Sequence, residues 1–318
     1  MERWRTCRKL PSKARTWGDT VIRSLTPLFL VWLAGCGPGM PEAQSTDGEA
    51  VSADGVAIRY EVRGSGDPAL VLVHGWANTR AIWGIHPETL SRTHRVVALD
   101  LAGHGESDTD RRDWTMDAFG EDVVAVVDQL GLDSVALVGF SMGGAAVLEA
   151  AERLGDRVLG VVLVDVFHDP NVWMSDDEAA QFAVAMREGW RDTAFIRAFA
   201  FTPDAPDSLI AYVTAMMPEE PPEHLFTVFE SLHEWMKSDF QSTLQDVDRP
   251  IAAINGTLPA TNVEAWQSYE PSFTVDLIED VGHGGILLRR VEDFDARLLA
   301  IVDRLADADA GVGEERPR

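Results

Sequence analysis

With 318 residues, 46% of them apolar, the chain is long enough for one large domain with a sizeable core and an insertion. Its formal net charge of -25 hides an asymmetry, because residues 1–35 hold seven of the 27 Lys and Arg but only two of the 52 Asp and Glu. The acidic remainder repels polyanions, which argues against nucleic acid and anionic lipid as partners, and the acidity otherwise does no more than keep the chain soluble.

The basic start runs into Leu28-Phe29-Leu30-Val31-Trp32-Leu33-Ala34, an apolar stretch too short to span a bilayer, followed by small residues and a cysteine. Leu33-Ala34-Gly35-Cys36 is similar to the bacterial lipobox. That resemblance implies a lipoprotein signal peptide over 1–35, lipidation at Cys36 and an exported, lipid-anchored domain in the bacterial envelope. It also implies that Gly37 after the cysteine favours the outer membrane where there is one. Contact with the membrane would then be through the N-terminal lipid only. The other cysteine, Cys7, falls in the segment to be removed, which leaves the mature domain without a disulfide. Residues 36–50, rich in Gly, Pro, Ser and acid, read as a flexible tether.

From there the pattern is regular. Val56, Ile58, Tyr60 and Val62 alternate as a half-buried strand entered through Asp54-Gly55, while 70–73 and 96–99 are continuous apolar runs of the kind buried on both faces. Thr115 or Asp117 can cap a helix that closes at Gly131. The strand 134–138 leads into Gly139-Phe140-Ser141-Met142-Gly143 and a second helix. A turn this sharp leaves no room for Cβ atoms on either side of the serine, and it presents the hydroxyl at a helix N-terminus. The next strand, 159–164, ends at Asp165, and from 166 to 247 the chain turns helical and rich in large apolar residues. Strand 251–256 and strand 273–278 follow, then Gly282-His283-Gly284, a closing helix over 291–305 and a tail over 309–318 that reads as disordered.

Four segments, each at the end of an apolar strand and in this order, resemble the α/β-hydrolase fold: His74-Gly75-Trp76, Asp100 to Asp108, the Ser141 turn and Gly282-His283-Gly284. The resemblance, over about residues 51–305, implies a mostly parallel sheet flanked by helices. The core would comprise 51–165 and 248–308, with 166–247 a helical cap over the site. It further implies Ser141 as nucleophile, His283 as general base and the backbone amides of Trp76 and Met142 as the oxyanion hole.

The acid departs from the common pattern. Relatives usually carry an aspartate after the strand ending at Gly256, but Thr257 to Val263 contains no carboxylate. Two candidates stand: Asp165, at the strand end some relatives use, and Glu264 as the alternative. A carboxylate at a strand end is held more firmly than one beyond a loop, which favours Asp165. Serine at the apex argues against the branches that need a carboxylate nucleophile. The resulting expectation is a serine hydrolase acting on a small to medium lipophilic ester or lactone, with carbon–carbon bond hydrolysis or perhydrolysis as alternatives. A lipid-tethered binding protein with a damaged triad is the reading from another class. With no metal cluster, phosphate loop or dinucleotide fingerprint in the sequence, no cofactor and no metal are expected, and the partner is a small-molecule ester-like substrate.

Overall fold

The computed structural model describes residues 45–315. The expected signal peptide, Cys36 and the first part of the tether lie outside the described residues. β1 (Thr46–Val51) and β2 (Ala57–Arg63) form a hairpin whose turn carries Gly55 at φ +91°. β3 (Ala69–Val73), β4 (Val96–Leu99), β5 (Val135–Phe140), β6 (Val158–Val164), β7 (Ile251–Gly256) and β8 (Thr274–Ile278) complete one sheet in the order β1-β2-β4-β3-β5-β6-β7-β8. The hairpin and the β2/β4 pair are antiparallel and every other pair is parallel.

The hairpin corrects the expected tether: residues 46–50, assigned to it, are a strand. Of the six residues of β1 only Ala50 is buried, so an edge strand made largely of polar residues carries almost no alternation to read. Gly48 lies opposite Tyr60, whose ring would sit 2.3 Å from a Cβ there.

The helices are α1 (His86–Leu90), α2 (Met116–Gln129), α3 (Gly143–Leu154), α4 (Asp176–Glu188), α5 (Thr193–Ala200), α6 (Asp207–Met216), α7 (Glu223–Ser238), α8 (Phe240–Asp246), α9 (Val263–Gln267), α10 (Gly285–Leu288) and α11 (Val291–Glu315). Their starts follow from local chemistry. Thr115 Oγ1 accepts the Ala118 N–H at α2, Ser175 and Glu178 form a capping box at α4, and Asp192 caps α5. α11 corrects the expected tail, since the helix continues to Glu315; Ala306 and Ala308 are strong helix formers that favour its extension. Among the described residues no helix is long and apolar enough to cross a membrane.

Each buried strand divides its residues between two cores. Val71, Leu137 and Leu163 face α2 and α3, whereas Leu70, Val138 and Val162 face α11. The helical segment between β6 and β7 is divided in the same way. Ile196, Ala200, Ile210 and Val213 of α5 and α6 belong to the α11 side, and Val228, Leu232, Trp235 and Phe240 of α7 and α8 belong to the α2–α3 side.

Candidate active site

Ser141 stands just beyond β5, the strand between β3 and β6. Its φ of +54° is a left-handed conformation that a serine adopts only under constraint. The constraint is steric. A Cβ on Gly139 would lie 2.4 Å from the Gly143 carbonyl, and one on Gly143 would lie 2.5 Å from the Val73 carbonyl. The Ser141 N–H donates to the Val164 carbonyl at 3.0 Å and its own carbonyl accepts from Gly144 at 2.8 Å, so both sides of the turn are fastened.

The turn after β3 closes on this apex. A Cβ on Gly75 would come 2.9 Å from that of Ser141, which puts the Gly75-Trp76 backbone against that serine. Among the described residues the N–H groups of Trp76 and Met142 have no acceptor. His74 anchors this turn: its Nδ1–H donates to the Gly75 carbonyl at 2.8 Å, and Nε2 accepts the Leu101 N–H at 3.0 Å. Burial drives its pKa down to about 4, so it is a neutral structural strut. The Asp100–Asp108 turn is held in place by a buried network in which Arg111 and the Ala102 N–H both bind Asp122.

His283, on the loop after β8, meets Ser141 Oγ through Nε2 at 3.0 Å and Asp165 Oδ2 through Nδ1 at 2.8 Å. Because a carboxylate oxygen can only accept, the proton sits on Nδ1 and Nε2 is left to accept from the serine hydroxyl. The Phe140 ring stacks on the imidazole at 4.9 Å and the Phe199 edge approaches it at 6.1 Å.

Asp165 closes β6 at φ +48°, with 7% of its side chain exposed. Its Oδ1 accepts the Gly256 N–H at 2.8 Å, and His168 Nε2 lies 3.6 Å from the same oxygen. Burial alone would raise this carboxyl. The hydrogen bonding of His168, of His283 and of the Gly256 amide outweighs it and holds the group well below the usual carboxylate range. Glu264, the alternative acid, is exposed in the first turn of α9 and reaches neither His283 nor Ser141. β7 runs beside β6, so a carboxylate at the end of either strand approaches the histidine loop; here β6 supplies it and β7 supplies an amide. His168 was not singled out by sequence, although its position three residues after Asp165 is the one available signal.

Above the site the aromatic side chains form an arc. Trp76 contacts Phe229 at 6.0 Å, Phe229 contacts Phe182 at 4.8 Å, Phe182 contacts Phe199 at 5.5 Å, and Phe199 reaches His283. Trp190 and Phe226 thicken it on the Trp76 side. The sequence marks Phe182, Phe199 and Phe229 as apolar helix positions, and only the fold shows that they arch from the Gly75-Trp76 turn to His283.

Comparison with known proteins agrees with this architecture. A family model described as the alpha/beta hydrolase fold matches residues 68–254. An esterase from Thermogutta terrifontis superposes with a TM-score of 0.70 at 22% identity, covering 82% of this chain and 99% of that one. An enol-lactonase from Burkholderia xenovorans gives 0.67 at 22% identity, over 80% and 100% of the two chains. A pimeloyl-[acyl-carrier protein] methyl ester esterase from Nitrosomonas europaea is 27% identical over 73% of this chain and 94% of its own length. Several other curated relatives match over short stretches, and the chain spans about a third of their length. One is the Pseudomonas putida acetyltransferase component of the acetoin cleaving system, 35% identical over 40% of this chain and 34% of its own. With the model match extending over more than half of its residues, the chain belongs to the α/β-hydrolase fold family.

Proposed function

We propose that the protein is a serine hydrolase that cleaves small to medium lipophilic carboxylic esters or lactones through an acyl-enzyme on Ser141. The observation that carries this reading is the unbroken Ser141–His283–Asp165 hydrogen-bond chain, at 3.0 and 2.8 Å, on a constrained turn flanked by two unpaired amides. Ser141 Oγ attacks the ester carbonyl carbon and its proton passes to His283 Nε2. The Trp76 and Met142 amides receive the oxyanion, each worth about 3 kcal/mol in this kind of site. Collapse expels the alcohol, protonated by His283, and a water then repeats the sequence to release the acid. Asp165 remains ionised and stabilises the imidazolium. The binding-module reading draws on the missing carboxylate after Gly256, and the 2.8 Å contact of Asp165 with His283 Nδ1 weighs against it.

The aromatic arc supports a lipophilic acyl or alcohol group. Assayed as the full-length protein on p-nitrophenyl esters of increasing acyl length, kcat/KM is expected to rise by up to about fourfold per methylene while the chain is buried against the arc, since each is worth ~0.8 kcal/mol. It should fall once the arc is filled. A flat series would show that the acyl group does not enter it.

We further propose, on the lipobox-like segment alone, that the domain is tethered to the cell envelope by lipid on Cys36. Metabolic labelling with an alkynyl fatty acid is expected to mark the wild type and not Cys36→Ser, and an unmarked wild type would end this part of the reading.

A further inference from the structure

The catalytic histidine is seated against the helical insertion. The Gly284 N–H donates to the Ala200 carbonyl at the end of α5 at 2.7 Å, and a Cβ on Gly282 would lie 2.7 Å from the Phe201 Cα. The two residues flanking His283 on its glycine positions therefore pack backbone to backbone on α5. One side chain ties both segments together. Arg289, 18% exposed, donates to Thr202 Oγ1, to Asp204 Oδ1 at 3.2 Å and Oδ2 at 2.9 Å, and to the Asp280 carbonyl at 3.0 Å. Thr202 and Asp204 belong to the segment after α5, whereas Asp280 belongs to the loop that carries His283 and itself sits at φ +57°.

The opposite half of the insertion grips the other side of the site. Trp76, on the oxyanion turn, donates its indole N–H to the Leu225 carbonyl of α7. Since α5–α6 and α7–α8 belong to cores on opposite faces of the sheet, the two halves have no common core obliging them to move together. The contact between them near the site is the aromatic arc, where Phe182 of α4 meets Phe199 of α5 on one side and Phe229 of α7 on the other.

We propose that Arg289 is a positioning residue for the general base: by gripping Thr202, Asp204 and the Asp280 carbonyl at once, it locks the α5 end of the insertion to the His283 loop and so holds Nε2 within reach of Ser141. This rests on the serine-hydrolase reading for the role of His283. The fork of the guanidinium suits the task, because it bonds a carboxylate, a hydroxyl and a carbonyl simultaneously, as a lysine ammonium on a flexible stem does not. A displacement of the base by about 1 Å is enough to slow turnover on the order of a hundredfold, so loosening this clamp acts on kcat while leaving the aromatic arc to bind substrate.

The test compares full-length wild type, Arg289→Gln, Asp204→Asn and, as a control that removes a half-exposed arginine's ion pairs with Asp293 and Asp276 and none with the segment after α5, Arg297→Gln. Three readouts are taken: ester kinetics, the rate of fluorophosphonate labelling at Ser141, and backbone hydrogen exchange. Arg289→Gln is expected to lower kcat on the order of ten- to a hundredfold with KM within about threefold, and to slow labelling in parallel. Exchange should quicken together in 200–205 and 280–286. Asp204→Asn, which keeps the Asp280 contact, should show the same pattern at several-fold size, and it answers the question if Arg289→Gln does not fold. Arg297→Gln should match the wild type. Arg289→Gln or Asp204→Asn with unchanged kcat and labelling would overturn the proposal even if its melting temperature dropped, as would exchange that quickens in 200–205 alone. A wild type that labels but turns over no ester would count against the ester reading only, and labelling with exchange would still decide the role of Arg289.

Discussion

Replacing Ser141 with alanine is expected to lower kcat on p-nitrophenyl esters by about 10⁶-fold, equivalent to ~8 kcal/mol of barrier, and to abolish fluorophosphonate labelling. The size of the effect follows from the site's construction. The variant has no atom to form the acyl bond, and water must attack without the oriented serine oxygen, although the Trp76 and Met142 amides still receive an oxyanion. Residual catalysis well above the uncatalysed rate is thus compatible with the mechanism. The substitution is also a clean one for the fold, since among the described residues Oγ bonds only His283 and removal of a hydroxyl creates no buried void. Alanine at φ +54° inherits the same backbone strain as serine. Turnover within tenfold of the wild type would mean that the ester is cleaved elsewhere and would sink the reading built on Ser141.

The second large effect separates the two carboxylates. Asp165→Asn is expected to reduce kcat about 10⁴-fold, because an amide in this place can donate to Nδ1 and turn the imidazole to the tautomer that cannot accept the serine proton. Glu264→Gln should stay within about twofold, as is usual for an exposed side chain away from the reacting groups. Labelling of Ser141 in Asp165→Asn should be slowed and not lost, since the nucleophile and the two amides remain. Equal activity in the two variants, or the reverse order, would refute the triad as drawn. The pH dependence carries a related sign. The folded carboxyl of Asp165 is held below its unfolded value, so its ionised form stabilises the protein at every pH above about 4, and that contribution is lost only as the solution becomes strongly acidic. Across the ordinary range for ester assays Asp165 therefore does not change charge.

Much of the site was legible in the chain because its requirements are local. The Ser141 turn announces itself by the glycines at 139 and 143, each needed for contacts within a few residues or with the neighbouring strand end. The His74-Gly75-Trp76 turn and the Gly282-His283-Gly284 loop also show their glycines in the chain, although the close approaches that Gly75 and Gly282 permit, to Ser141 and to Phe201, are with distant segments. Apolar runs at 70–73, 96–99, 134–138 and 159–164 announce strands covered on both faces, and all are central in the sheet. The edge strand Thr46–Val51 gave no such signal, because half its surface faces water and its pairing with β2 is made by backbone groups that every residue has.

By itself, then, the sequence determined the fold class, the order of the functional turns and the identity of the residues that local sterics single out. The tertiary structure decided which distant groups meet. Asp165 stands 118 residues from His283 and 91 from the Gly256 amide, and nothing near any of the three predicts that β6 and β7 end side by side. It also decided how the helices between β6 and β7 are shared between two cores, and which of their aromatic rings arch over the serine. An amphipathic helix states that one face will be buried, whereas the partner for that face is chosen by the packing of the whole chain. Arg289 shows the same limit, since its four acceptors come from two segments that only the folded chain brings around one guanidinium.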